Sequence, residues 1–203
     1  MKISIIDYGL GNHQSISNIC KKLGYNAVIT DDEKIILKSD FIILPGVGSF
    51  DSGIKNIETK GLKQVLNNAI VNQKIKTLGI CLGAQLMLEK SEEGTLKGLS
   101  YVPGEVSSFK KRFTKLDMNF PIPNMGWRYV KYKRNHPNLL DRYYFVHSYF
   151  FDLKEDDHVI MESNYGFKFV CVYIYKNITG FQFHPEKSHT FGLNLLKDYF
   201  ESN

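Results

Sequence analysis

Three short, largely apolar runs, Ile3 to Ile6, Phe41 to Leu44 and Lys76 to Ile80, each stop at a turn signal, with stretches of helical periodicity between them. An apolar run this short, not alternating with polar residues, is what a strand buried on both faces requires, and such a sheet is connected by helices packed on its two sides. Asn26 to Thr30 offers a further short strand, Ile16, Ile19, Cys20 and Leu23 repeat at helical spacing before Gly24, and Leu62, Val65, Leu66 and Ile70 mark another helical region. The first half therefore predicts an α/β fold with a mostly parallel central sheet flanked by helices.

The second half changes character. Tyr101 to Phe109, Trp127 to Tyr132, Tyr143 to Val146, Val159 to Glu162, Phe167 to Tyr175 and Ile178 to Phe181 are aromatic and β-branched runs, as strands favour. Asn164-Tyr165-Gly166, and Asn177 with Gly180, punctuate them as turns do, so additional antiparallel strands are expected in the C-terminal half. A final helix carries Leu195, Leu196, Tyr199 and Phe200 on one face, a core stripe.

With 203 residues, no internal repeat and no biased linker, one domain spanning 1–203 is expected. The net charge of +5 is spread over scattered lysines and reads as a solvated basic surface. A denser stretch, Lys110, Lys111, Arg112 and Lys115 followed by Lys131, Lys133 and Arg134, lacks a recognition-helix pattern. It suits an acidic partner or a phosphorylated substrate equally, and nucleic acid is not expected. The N-terminal apolar run is too short for a signal peptide and nothing approaches the ~18 apolar residues of a membrane span, so no membrane partner and a cytoplasmic location are expected. The 3 cysteines lack zinc spacing and are an odd number, so neither a disulfide framework nor a metal site is expected.

One cysteine stands apart. Gly79-Ile80-Cys81-Leu82-Gly83 places Cys81 between glycines, after an apolar strand and before a helical run from Ala84 to Lys90. This is the layout of a nucleophile elbow, in which a strained turn lifts the side chain above the sheet and glycines allow the backbone to pass close by. A helix N-terminus there favours thiolate over thiol and leaves the Leu82 amide free to face an oxyanion. Taken alone, the elbow leaves open the reading of Cys81 as a small buried residue. Cys20, on a helical apolar stripe, and Cys171, in an alternating strand, are expected to be inert.

Near the C-terminus, Gly180-Phe181-Gln182-Phe183 runs into His184-Pro185-Glu186. The proline forces a turn, and a carboxylate two residues from a histidine can hold the imidazole in the tautomer that directs its other nitrogen toward a thiol. A lone histidine is more often structural; paired with Glu186 and matched by Cys81, His184 reads as catalytic. His13, His136, His158 and His189 read as surface residues, whereas His147 opens His147-Ser148-Tyr149 at a strand end, where loops line clefts.

These residues resemble the class I, or triad, glutamine amidotransferases, and among them the glutaminase subunits of imidazole glycerol phosphate synthases. The resemblance covers nearly the whole chain. It rests on Ile6-Asp7-Tyr8-Gly9 with Gly11-Asn12, Leu44-Pro45-Gly46-Val47-Gly48-Ser49-Phe50, Leu78 to Gln85, Ser91-Glu92-Glu93-Gly94, Met125-Gly126-Trp127, Val146-His147-Ser148-Tyr149 and Gln182 to Ser188, all in order. It implies Cys81 as nucleophile, His184 as general acid and base, and Glu186 as orienter. It also implies a pocket for L-glutamine in which Gly46, Val47 and Gly48 form an oxyanion segment with Leu82, while Gln85 and the Ser148-Tyr149 backbone hold the amino-acid end beside His147. Asn12, Met125, Gly126, Trp127 and Lys187 would face a synthase partner, a separate (β/α)8 barrel.

The implied activity is hydrolysis of glutamine to glutamate and ammonia without metal or organic cofactor, the ammonia passing to the partner to make imidazole glycerol phosphate in histidine biosynthesis. A peptide between glycines can rotate, so Gly46-Val47-Gly48 is a candidate switch for the oxyanion donor. Where the common pattern is Pro-His-Met-Gly-Trp-Asn, this chain has Pro123-Asn124-Met125-Gly126-Trp127-Arg128. Those departures leave open a related barrel synthase that aminates a nucleotide-linked or surface sugar. A stand-alone cysteine hydrolase is the remaining alternative.

Overall fold

The computed structural model describes residues 1–133 and 140–201, so Arg134 and His136 lie outside the described residues. The first half alternates strand and helix in the expected order. Strand β1 (Ile3–Ile6) leads to helix α1 (His13–Lys22), β2 (Ala27–Thr30), a single helical turn α2 (Glu33–Ile36) and β3 (Phe41–Leu44). Helices α3 (Phe50–Thr59) and α4 (Leu62–Leu66), the latter widening into a π turn over Asn67–Asn72, precede β4 (Lys76–Ile80) and α5 (Leu82–Leu86).

The second half contributes β5 (Lys90–Ser91), β6 (Gly104–Ser108), helix α6 (Phe109–Lys115), β7 (Asn124–Tyr132), β8 (Leu140–His147) and β9 (Tyr149–Leu153). It ends with β10 (Val159–Tyr165), β11 (Phe167–Tyr175), β12 (Ile178–Phe181) and helix α7 (His189–Glu201). All strands join one sheet, whose main path is β2-β1-β3-β4-β12-β11-β10-β7-β8. From β2 to β12 the neighbours are parallel; from β12 onward they are antiparallel. Strands β6 and β9 branch from β11, with β5 beside β6.

Side-chain alternation between two cores explains why the central strands are largely apolar. Ile3, Ile5, Phe41, Ile43, Leu78 and Ile80 enter one core, covered by Ile16 and Ile19 of α1 and Leu196 and Phe200 of α7. Ile6, Ile42 and Leu44 enter the other, covered by Phe50, Ile54 and Ile57 of α3 and by Leu62 and Leu66 of α4. Each such buried side chain contributes roughly 1.5–3 kcal/mol of transfer free energy, so no strand position facing either core tolerates a charge.

Two expectations need correction. The strand expected to run to Phe109 stops at Ser108, whose hydroxyl caps α6 by accepting the Lys111 amide, and Phe109 and Phe113 are the buried face of that helix. Lys110, Lys111, Arg112 and Lys115 therefore lie on a helix, and several charges of the basic stretch have partners within the chain. Lys111 pairs with Glu92 at 3.0 Å, Arg112 with Asp152 at 3.4 Å, and Lys133 with Asp156. The helix expected over Ala84 to Lys90 ends at Leu86 because the carbonyls of Leu86, Met87 and Leu88 accept the amides of Leu99, Tyr101 and Ser100 instead of continuing an i to i+4 ladder.

Glycines set the closest approach in the molecule. The first turn of α5 lies against the end of β3 so tightly that a Cβ on Gly83 would stand 1.9 Å from the Leu44 carbonyl oxygen, and one on Gly79 would stand 2.5 Å from the Ala84 Cα. Gly83→Ala should therefore destabilise the fold by about 3 kcal/mol or more, read from urea unfolding; an unchanged midpoint would contradict this contact.

Candidate active site

The carboxyl ends of the parallel strands, the edge at which α/β sheets commonly bind ligands, bring the chemistry-bearing residues together. From β3 the chain enters Pro45 to Gly48, from β4 it enters Cys81, and from β12 it reaches His184 and Glu186. Antiparallel β8 ends at His147 on the same edge. Between these ends lies a cavity of about 410 Å³ lined by Cys81, His184, Val47, Gly48 and Leu82, with Gln85, His147, Ser148 and Tyr149 along another wall. A larger cavity of about 970 Å³ lies at the opposite edge, by the starts of β4 and β12, and has neither cysteine nor histidine among its described lining residues.

Cys81 occupies a strained turn, with φ 51° and ψ −111°, a region that side-chain-bearing residues almost never adopt. Its amide donates to the Phe181 carbonyl at 2.7 Å, so the last residue of β12 holds the turn that follows β4. The sulfur lies 3.8 Å from Gln182 Nε2 and 4.0 Å from the Val146 carbonyl. With α5 reduced to five residues, Leu82–Leu86, the helix dipole acting on the sulfur is small.

The histidine turn is pinned from three sides. The His184 amide donates to the Tyr144 carbonyl at 2.9 Å, and the Ser188 hydroxyl donates to the His184 carbonyl at 2.6 Å while accepting the Tyr144 amide at 3.0 Å. His184 Nδ1 lies 2.8 Å from Glu186 Oε1, both side chains being 1% exposed. A carboxylate only accepts, so Nδ1 carries the proton and Nε2, with no close hydrogen-bond partner among the described residues, is left for Cys81 and the cavity. Burial works against a charged ring, but the neighbouring Cys81 and the Glu186 carboxylate prevail and push the His184 pKa up to about 10.

His147 has the opposite character. Its Nδ1 donates to the Tyr149 carbonyl at 2.7 Å, and Nε2 therefore accepts from Asn124 Nδ2 at 3.0 Å. Phe109, Phe145 and Phe169 crowd the ring at 5.3 to 5.5 Å, and this burial pulls its pKa down to about 4. A neutral His147 with both nitrogens occupied is a wall of the cavity with no free proton to give. Gln85 reaches the same Tyr149 carbonyl at 3.3 Å and Gln182 Oε1 at 3.1 Å.

The segment after β3 has one fixed and one free end. Tyr8 donates from its hydroxyl to the Pro45 carbonyl at 2.6 Å, and a Cβ on Gly46 would stand 2.5 Å from the Gly83 amide nitrogen. Gly46 therefore sits behind the cavity, wedged against α5. Gly48, at φ +116°, has only Leu10 nearby, at 3.6 Å from an imagined Cβ.

Residues expected at the partner-facing surface lie apart from this cavity, except Lys187, which is exposed at its rim. Met125 and Trp127 project outward from β7 at 55% and 37% exposure, flanking Gly126, and Tyr129 continues the row at 59%. Tyr129 was legible from the period of two along the strand. Asn12 sits at the start of α1, where its Oδ1 accepts the Ser15 hydroxyl at 2.9 Å. The departures at 124 and 128 are not on the outer row: Asn124 is wholly buried, and Arg128 Nε donates to it at 3.0 Å.

Sequence patterns missed Tyr8, Glu93, Asn124 and Gln182. Glu93 lines the cavity and accepts the Phe50 amide at 2.9 Å, while Gln182 is wholly buried beside Cys81. Both lie within the family motifs, which was the available signal. Of the histidines expected at the surface, His189 is exposed and stacks on Trp127 at 5.7 Å, whereas His13 is only 16% exposed and bonds the Ile6 carbonyl at 3.1 Å, because α1 starts beside the end of β1. Cys20 and Cys171 are fully buried, and burial raises both pKa values, that of Cys20 to about 12. Among the described residues no cluster of His, Cys, Asp and Glu has metal-holding geometry, and no helix is long and apolar enough to cross a membrane.

A cysteine on an elbow after a parallel strand, facing a histidine oriented by a glutamate from the adjacent strand, accords with what the whole chain matches. Residues 4–202 fit the family described as glutamine amidotransferase class-I, and the chain belongs to that family. Among its relatives, the imidazole glycerol phosphate synthase subunit HisH 2 of Methanococcus maripaludis is 44% identical over 98% of both chains. The protein of the same name from Pseudomonas aeruginosa is 38% identical, also over 98% of both. A solved glutamine amidotransferase only 13% identical has the same fold over 97% of each chain, with a TM-score of 0.74.

The raised His184 pKa has a measurable consequence. The stability it contributes is complete below the ordinary histidine value of ~6.5 and is lost as pH climbs through about 10. Nitrogen NMR should show the ring protonated at neutral pH, with a lower midpoint in Glu186→Gln; an unshifted midpoint would remove the glutamate from this account.

Proposed function

We propose that this chain is the glutaminase subunit of imidazole glycerol phosphate synthase, hydrolysing L-glutamine to glutamate and ammonia for a separate (β/α)8 barrel subunit in histidine biosynthesis. The observation that carries it is the Nδ1 contact of His184 with Glu186 at 2.8 Å, which leaves Nε2 to the cavity that Cys81 enters. The names of the two relatives, similar over nearly their full lengths, support the choice of synthase.

In this reading the thiolate of Cys81 attacks the side-chain carboxamide carbon of glutamine, and the negative oxygen is met by the Leu82 amide and an amide of Gly46-Val47-Gly48. His184 passes its proton to the departing nitrogen, which leaves as ammonia and closes a thioester on Cys81. Water then attacks the thioester, His184 takes the water proton and returns it to the sulfur, and glutamate is released. Glu93 supplies a carboxylate for the ammonium end of the substrate, and Gln85 with the Ser148-Tyr149 backbone holds the same end.

The oxyanion segment acts as a switch of limited reach. Tyr8 and the wedged Gly46 hold its first peptide, so rotation is confined to the Val47-Gly48 side, where Gly48 already adopts φ +116°. Met125, Trp127 and Tyr129 form the apolar row on which the barrel subunit docks, with Asn12 and Lys187 at its margin.

A glutamine-mimicking diazo-ketone should add one equivalent at Cys81, and Cys81→Ala should abolish both the adduct and glutamate release; no adduct with or without a barrel subunit overturns the glutaminase reading. Glutamine hydrolysis by the isolated chain should be slower than in the complex by ~100 to 1000-fold, the usual cost of a missing oxyanion donor. Equal rates would rule out the switch while leaving the chemistry intact.

A further inference from the structure

We infer that Arg128 and Asn124 are positioning residues for the amino-acid end of the glutamine cavity, acting through His147 and tying the exposed apolar row of β7 to the cavity wall. The inference rests on the glutaminase reading and extends it to how the site is held in register with its docking surface.

The observations form one continuous chain of contacts. Arg128 Nε donates to Asn124 Oδ1 at 3.0 Å, Asn124 Nδ2 meets His147 Nε2 at 3.0 Å, and His147 Nδ1 meets the Tyr149 carbonyl at 2.7 Å. Gln85 bonds that carbonyl at 3.3 Å and Gln182 Oε1 at 3.1 Å, and Gln182 Nε2 lies 3.8 Å from the Cys81 sulfur.

The direction of donation along this chain is fixed at both ends: the Tyr149 carbonyl only accepts, so His147 carries its proton on Nδ1, and the Arg128 guanidinium only donates. The asparagine must therefore present Oδ1 to the guanidinium and Nδ2 to the bare His147 Nε2. Without Arg128 the Asn124 amide loses its outer anchor and is held by His147 alone, so a flip is opposed from one side only. A flipped amide sets oxygen against the bare ring nitrogen; relieving that repulsion needs the other tautomer, which gives up the Tyr149 bond. The Ser148-Tyr149 backbone then loses its fixed orientation.

The same guanidinium is held to the outer row. Arg128 Nη1 donates to the Trp127 carbonyl at 3.3 Å and Nη2 to the Met125 carbonyl at 3.5 Å, across Gly126 at φ +118°, and its carbon lies 4.8 Å from the Tyr165 ring centroid. Met125 and Trp127 are the residues whose side chains project outward, so a load on that row moves the carbonyls Arg128 holds. Strand β7 thus reads contact on one face and helps fix hydrogen-bond polarity on the other.

The test uses the full chain as Arg128→Gln, Asn124→Asp and the double variant, with two probes of Cys81. The diazo-ketone needs the amino-acid end of the pocket, while iodoacetamide needs only the sulfur. Each single variant should raise the half-saturating diazo-ketone concentration at least about fivefold, roughly the effect of one lost hydrogen bond, with the limiting labelling rate and the iodoacetamide rate little changed. The double variant should be no worse than the worse single, because both break one chain. An unchanged half-saturation in Arg128→Gln, an additive double, or a parallel fall in iodoacetamide reactivity overturns the proposal. Should Asn124→Asp fail to fold, Arg128→Gln alone decides. Wild-type protein that takes iodoacetamide at Cys81 and never the diazo-ketone sinks the glutaminase reading itself, and this inference with it.

Discussion

The site depends on one backbone-to-backbone contact, the first turn of α5 resting against the carbonyl end of β3. No side chain fits there: Gly83 faces the Leu44 carbonyl and Gly46 faces the Gly83 amide. From this contact follow the strained Cys81 turn, the position of the oxyanion segment beside it, and the burial of the Tyr8 hydroxyl against Pro45. The strain at Cys81 persists because the Phe181 carbonyl holds its amide and the glycine packing holds the turn beyond it.

Much of the fold was legible because the central strands announce themselves. A strand buried on both faces is mostly apolar, as β1, β3, β4 and β12 are, and these strands together with β11 carry the bounds that their runs imply. The elbow and the His184-Pro185-Glu186 turn were legible for a similar reason, since glycine and proline mark places where the backbone has little choice. Helix α3 escaped notice although Phe50, Ile54 and Ile57 have helical spacing, and β9 was hidden inside Ser148-Tyr149-Phe150-Phe151.

What the sequence could not convey was polarity between distant residues. Asn124 and Arg128 look like neighbours on a strand, yet their importance comes from His147, reached only when β7 pairs with β8 and sets Asn124 opposite His147. Gln182 is likewise an ordinary residue until folding brings it to Gln85 and Cys81. The early end of α5 was hidden for the same kind of reason, because the carbonyls that end it bond to amides more than ten residues away.

Strand β12 is the seam of the sheet, parallel to β4 on one side and antiparallel to β11 on the other, with Ile80 paired to Phe181. A hydrogen-bonded ladder of ~4.8 Å pitch thus sets the ends of β4 and β12 side by side, and the pinned turn after β12 places His184 from there. Beyond the seam, β8 and β9 carry the wall residues His147 and Tyr149, and the Tyr144 carbonyl of β8 holds the His184 amide, so that side of the sheet is tied to the site as well. Register along β12 therefore fixes nucleophile and base at once, and a slip of one residue would part them.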